Sequence, residues 1–170
     1  MIHPPAPGWH LAQVNVARLK APVGDPLVAP FVDALDLVNG VAERMDGFVW
    51  RHVDGTGNAT DTRVADDPKL IYNASTWRDV ESLERFVWGT VHARFYERRA
   101  EWFDALGSLH FAMWWVPPGT TFTPGEAMDR LAHLDAHGAS ERAFGWREAP
   151  GARLYAEGRC VPEVAALSAI

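Results

Sequence analysis

The stretch His10-Leu11-Ala12-Gln13-Val14-Asn15-Val16-Ala17-Arg18-Leu19 sets Ala12, Val14 and Val16 against Gln13, Asn15 and Ala17 in strict alternation. Successive side chains of an extended chain point to opposite sides, so this run is a strand with one apolar and one polar face. A polar second face on an opening strand needs partners, and the rest of the sequence is read for what supplies them.

After the break Pro22-Val23-Gly24-Asp25-Pro26, residues Leu27, Phe31, Leu35, Val38 and Val41 recur at three- and four-residue spacing. That spacing predicts an amphipathic helix ending near Met45-Asp46-Gly47, with Pro30 tolerated in its first turn. Phe48 to Val53 reads as a second strand, followed by a polar loop opened by Asp54-Gly55-Thr56-Gly57-Asn58 and reaching Pro68, and Leu70 to Trp77 as a third strand. From the N-cap Asp79, the positions Val80, Leu83, Val87, Val91, Phe95, Trp102 and Leu106 predict one long helix stopped by Gly107. Leu109 to Val116 is a fourth strand closed by Pro117-Pro118-Gly119. A further helix runs from Pro124 to His137 between Thr123 and Gly138, and Phe144 to Arg147 reads as a short strand. Residues 1–150 are expected to form a single domain, with 151–170 as a C-terminal tail.

The order β-α-β-β-α-β is the split βαβ pattern, which folds as an α+β, ferredoxin-like antiparallel sheet with both helices on one face. The opposite face is then expected to carry Phe48, Trp50, Trp77 and either Trp114 or Trp115. So much apolar area has to be covered. A second sheet from a twofold-related copy would cover it, giving a homodimer with a dimeric α+β barrel and one pocket in each half.

Composition bounds the function. The chain has 170 residues, 48% hydrophobic and 22% charged, the range of a globular protein. Its net charge of -6 argues against a nucleic-acid partner, and the basic run Arg94, Arg98, Arg99 is too short to reverse that. A lone Cys160 excludes an internal disulfide and a thiolate metal cluster. No stretch reaches the length of a membrane span, and a cytoplasmic protein is expected. Eight Trp point to an aromatic-lined pocket or interface.

The run His10 to Arg18, the strand Gly47-Phe48-Val49-Trp50-Arg51, Trp77, the segment from His92 to Trp102-Phe103, and the ending Trp114-Trp115-Val116-Pro117 resemble a bacterial domain-of-unknown-function family of the dimeric α+β barrel superfamily. More distantly the layout is similar to the antibiotic biosynthesis monooxygenases and haem-degrading monooxygenases of that superfamily. Cofactor-free, quinone-forming members place an Asn and a Trp four positions apart at the end of the third strand, and Asn73 and Trp77 stand at that spacing. In the haem-degrading members a strand-one Asn and a helical His flank the haem, which the resemblance carries to Asn15 and His92.

The residues themselves leave alternatives open. Gln13 and Asn15 share one strand parity, as do Asn73, Ser75 and Trp77, and both sets are expected on the face away from the helices, inside the barrel. There they either hold a substrate oxygen or satisfy one another. His92 shares a helical stripe with Trp88, Phe95 and Arg99, where it is a hydrogen-bonded structural residue, a proton acceptor, or a haem ligand. Arg51 next to Trp50 either holds an anionic substrate group or guards a sheet edge. His133 and His137, with Asp129 one turn earlier, have ligand spacing, but such pairs are common on solvated faces, and no metal is expected.

These readings converge on a small-molecule enzyme, monooxygenase-like or a related isomerase or cyclase, acting on an aromatic or polyketide-like substrate without a cofactor. His92, Asn73 and Trp77 would be catalytic. Asn15, Gln13, Arg51, Trp50, Trp88 and Ser75 would bind substrate. The competing reading is a haem-binding or non-catalytic small-ligand-binding dimer.

Overall fold

In the computed structural model, which describes residues 1–154, the opening stretch is the central strand β1 (His10–Leu19). Strand β3 (Leu70–Trp77) pairs along one side of it, from Leu11 opposite Trp77 to Arg18 opposite Leu70. Strand β2 (Phe48–Arg51) adds to β3 as the sheet edge. On the other side β1 pairs with two strands in succession, β5 (Phe111–Val116) and the two-residue β4 (Phe103–Asp104). Every pairing is antiparallel, and the order β2-β3-β1 followed by β5 is the expected ferredoxin-like α+β arrangement.

The helices depart from the expected two. The first divides into α1 (Ala29–Val32) and α2 (Leu35–Arg44). The long helix also divides, into α3 (Val80–Gly89) and α4 (Val91–Glu97), followed by a 3₁₀ turn at Arg99–Glu101. The cause is Thr90, whose backbone is extended. Its hydroxyl donates to the Phe86 carbonyl at 2.7 Å, and its oxygen accepts from the His92 amide at 3.2 Å. One side chain thereby closes α3 and caps α4. Beyond α4 the chain straightens because Trp102, 2% exposed, is drawn under the end of β1 with Leu19 and Val28, leaving Phe103 to pair with Leu19.

Helix α5 (Pro124–His137) runs as read from the sequence, with a reciprocal cap between Thr123 and Glu126 and a stop at Gly138. Phe144 makes a lone two-bond bridge to Met113, and Trp146–Glu148 is a 3₁₀ turn rather than a strand. Gly47, between α2 and β2, has φ of +92°, and an added Cβ would stand 2.1 Å from Ser82 Oγ, so that turn packs directly on the start of α3. Most of the expected C-terminal tail, Cys160 included, lies outside the described residues. Among the described residues no helix is long and apolar enough to cross a membrane.

The face assignment needs correction. Leu11, Met113, Trp115 and Trp77 pack with Ala42, Val80 and Leu83, so the parity of Gln13, Asn15, Asn73, Ser75 and Trp77 is the parity of the helical side. Ala12, Val14, Val16, Ala74, Ala112 and Trp114 point the other way, and α5 covers them through Ala127, Leu131 and Leu134. Apolar bulk decides this: the odd positions carry Trp77, Met113 and Trp115, which α2 and α3 bury, while the small residues leave room for a close-packed α5. The four residues expected together on an uncovered face are divided between the two sides. A bulge between Phe48 and Trp50 puts Phe48 with Trp77 on the helical side, and Trp50 with Trp114 and Phe122 on the α5 side. The face whose exposure called for a partner's sheet is thus covered within the chain by α5.

Candidate functional site

Three cross-strand rows make up the helical side of the sheet. The outer row, Trp77-Leu11-Trp115, is apolar. Next to it lies Arg51-Ser75-Gln13-Met113, and beyond that Asn73-Asn15-Phe111. The two inner rows therefore bring four amide or hydroxyl side chains together in the middle of a buried sheet face.

Gln13 is the centre of this group and is 4% exposed. Its Nε2 donates to Asn73 Oδ1 at 3.0 Å and to Ser75 Oγ at 2.8 Å. Trp77 Nε1 donates to the same Ser75 oxygen at 2.9 Å. Both N–H directions of the Gln13 amide are used, yet its Oε1 is buried with no partner among the described residues. Rotating the amide end for end would only exchange the orphan, since one terminal atom still faces the unpartnered side. An unmet buried carboxamide oxygen costs on the order of 1–3 kcal/mol. Asn15 beside it is half-buried, and no hydrogen bond of its side chain occurs among the described residues.

Aromatic rings wall this floor. Phe86 of α3 stacks on Trp77 with centroids 5.2 Å apart, and the His92 ring packs 4.9 Å from Phe86. Phe111, opposite Asn15, stacks on Trp146 at 5.5 Å and nearly parallel. Trp146 lies 6.4 Å from Trp88, whose Nε1 is likewise buried without a partner among the described residues. Trp88 also lines a cavity of about 310 Å³ with Ala93, Tyr96 and Glu97.

His92 sits in the first turn of α4, so the stripe of Trp88, His92, Phe95 and Arg99 is not continuous, and Phe95 turns to Trp102 instead. Its Nδ1 lies 3.1 Å from the Val87 carbonyl, which requires the N–H there and leaves Nε2 with a lone pair. Burial holds its pKa below the usual histidine value, against the upward pull of the Val87 carbonyl. The ring is therefore a neutral base at pH 7. It reaches the amide floor through Phe86 and Trp77 rather than by a hydrogen bond.

The structure thus brings together Gln13, Asn15, Asn73, Ser75 and Trp77, with His92 and Trp88 on the aromatic wall. Arg51 stands in the same row, but its Nε is bound to Glu43 at 2.6 Å and an NH2 group to the Gly57 carbonyl, so it braces α2 and the loop. Trp50 is on the other side of the sheet. Phe86, Phe111 and Trp146 were not read as site residues. Their part depends on cross-strand register and on the Thr90 break, neither of which has a periodic signal.

Nothing here has the shape of a metal centre: among the described residues no three His, Cys, Asp or Glu side chains cluster. His92 Nε2 is chemically able to bind haem iron. The fit is poor, because Phe86 packs on the ring and His92 lines neither the cavity beside Trp88 nor a second one beside Trp114.

A family model described as a domain of unknown function (DUF3291) matches residues 10–158. No protein of curated function matches the chain. Among solved structures, protein SO0527 from Shewanella oneidensis is similar at 10% identity and a TM-score of 0.48, covering 64% of this chain and 92% of that one. PA3566 from Pseudomonas aeruginosa is similar at 17% identity and 0.43, covering 66% and 96%. A putative antibiotic biosynthesis monooxygenase from Chloroflexus aurantiacus is similar at 16% identity and 0.39, covering 68% and 99%.

Proposed function

Because the chain belongs to the DUF3291 family, whose description assigns no chemistry, we propose its function from the site: a small-molecule enzyme, monooxygenase-like, that acts on a hydroxylated aromatic substrate between the sheet and helices α3 and α4. The observation that carries this reading is the buried, unpartnered Oε1 of Gln13. An atom so placed accepts a hydrogen bond from a ligand, so the substrate brings a donor, as a phenol does. Asn15 and Asn73, paired in the next cross-strand row, add polar groups beside the Gln13 amide, Asn73 accepting from its other end. Phe86 and Phe111, both half-buried, offer apolar surfaces for its ring.

The group suited to move a proton is His92, neutral and with a lone pair on Nε2. It stands beyond Trp77 and Phe86 from Gln13, so it would take a proton from a second hydroxyl rather than from the one that Gln13 holds. Removing that proton leaves an electron-rich anion. With dioxygen as the oxidant, a ring methylene of that anion becomes a carbonyl: one oxygen atom enters the product, and the other leaves as water with the two methylene hydrogens. Without dioxygen the same anion isomerises or cyclises, and oxygen uptake distinguishes the two.

The test is calorimetric binding of 1,8-dihydroxyanthrone together with oxygen-electrode traces. The parent protein is expected to bind the probe and consume oxygen, Gln13→Leu to lose at least tenfold in affinity, and His92→Gln to keep binding but lose turnover. Binding that Gln13→Leu leaves unchanged would overturn the reading.

A further inference from the structure

On the opposite side of the sheet, between β5 and α5, lies a cavity of about 420 Å³ that plays no part in the site above. Trp114, 2% exposed, is its floor, and Phe122 meets it edge to face at 4.8 Å. Thr120 and Thr121 form one wall, and Arg130 and Arg142 stand at the other. Arg130 lies over the Trp114 ring with its central carbon 5.6 Å from the centroid, and it donates to the Arg142 carbonyl at 2.7 Å. That bond ties the helix to the segment carrying the second arginine.

Neither guanidinium has a carboxylate within ion-pair distance among the described residues. Two acids face the same space. Glu126 already accepts from the Thr123 amide and hydroxyl at 2.7 and 2.9 Å, and Asp129 is exposed to water. Of these four charged groups it is the Arg130 guanidinium that lies over the ring, so the charge against the apolar floor is positive. Burial and the neighbouring Arg142 both weaken the hold of Arg130 on its proton, with Glu126 pulling the other way.

We propose that this cavity binds an aromatic carboxylate, its ring against Trp114 and Phe122 and its carboxylate shared by Arg130 and Arg142. A guanidinium presents paired N–H groups that match a carboxylate, and two of them beside an apolar floor select an anion with a flat body over an inorganic ion. The volume lies within the range of small-ligand sites.

Isothermal titration of the full chain with 2-naphthoate, and with the neutral 2-naphthamide, tests this. The expected result is naphthoate binding at least tenfold tighter than naphthamide, a loss of tenfold or more in both Arg142→Gln and Arg130→Gln, and no change in Gln13→Leu. If Arg130→Gln fails to fold, Arg142→Gln decides alone, because its exposed side chain supports no core. Equal affinity for acid and amide, or naphthoate binding unchanged in Arg142→Gln, overturns the proposal. Loss in Gln13→Leu with the arginine variants unaffected would move the binding to the amide floor and overturn it equally.

Discussion

The two faces of one sheet are built from the same strands and differ by a single step of the pleat, yet they solve opposite problems. The α5 side sets Ala12, Val14, Val16, Ala74 and Ala112 against Ala127, Leu131 and Leu134, small apolar residues that let a helix lie close. The helical side carries its apolar bulk at the Trp77 end but places Gln13, Asn15, Asn73 and Ser75 in its middle, where polar atoms are costly. A sheet that needed only stability would carry the α5 pattern on both faces, so the polar rows are the part of the fold that stability does not explain.

The largest effects belong to what the faces share, their large buried rings and apolar side chains. Trp77→Ala removes a fully buried indole held between Phe48 and Phe86, and is expected to cost about 3–5 kcal/mol in urea unfolding. Leu131→Ala, on the other face, is expected to cost about 2–5 kcal/mol. If Leu131→Ala were silent, α5 would not be the cover described here, and the sheet would need another one.

A smaller effect separates the faces by pH. Burial lowers the His92 pKa in the folded protein, so the unfolded chain binds that proton more readily. The contribution of His92 is thus fully present above the unfolded value near 6.5 and is lost as pH falls through the lower folded value. Urea midpoints measured from pH 8 down to 5 should drop less steeply in His92→Gln than in the parent. Parallel curves would mean that the ring is accessible enough to protonate in place.

The smallest effect lies on the α5 side. Tyr72 has a buried hydroxyl without a partner among the described residues, and burial raises its pKa well above the usual tyrosine value. Tyr72→Phe should leave stability unchanged or raise it by up to about 1 kcal/mol. A loss greater than that would reveal a partner for the hydroxyl, such as an ordered water.

Much of this architecture was legible in the residues. The alternation of His10 to Leu19, the spans of β3 and α5, and the Thr123 and Gly138 boundaries all follow from local signals that tertiary contacts did not override. The side that the helices take did not follow: both parities of β1 are compatible with burial, and only the distant Trp77, Met113 and Trp115 settle which carries more bulk. The break at Thr90 was hidden because Val87, Val91 and Phe95 keep helical spacing across it. That Gln13, Asn73 and Ser75 share one face follows from parity alone, which survives a wrong choice of face. The rings that wall them, Phe86, Phe111 and Trp146, were not found, because they meet only through register and the folded-back segment after α5.

The central claim is that Gln13 is held for a ligand rather than for the fold, and unfolding of Gln13→Leu with and without 1,8-dihydroxyanthrone tests it most directly. Without ligand, the variant is expected within about 1 kcal/mol of the parent, since the lost donors leave Ser75 still bonded to Trp77 and the substitution removes the orphaned oxygen. With ligand at a hundred times its dissociation constant from the parent, the parent should gain about 2.7 kcal/mol and the variant far less. A variant destabilised by several kcal/mol that still gained as much from the ligand as the parent would contradict the account and make Gln13 a structural residue.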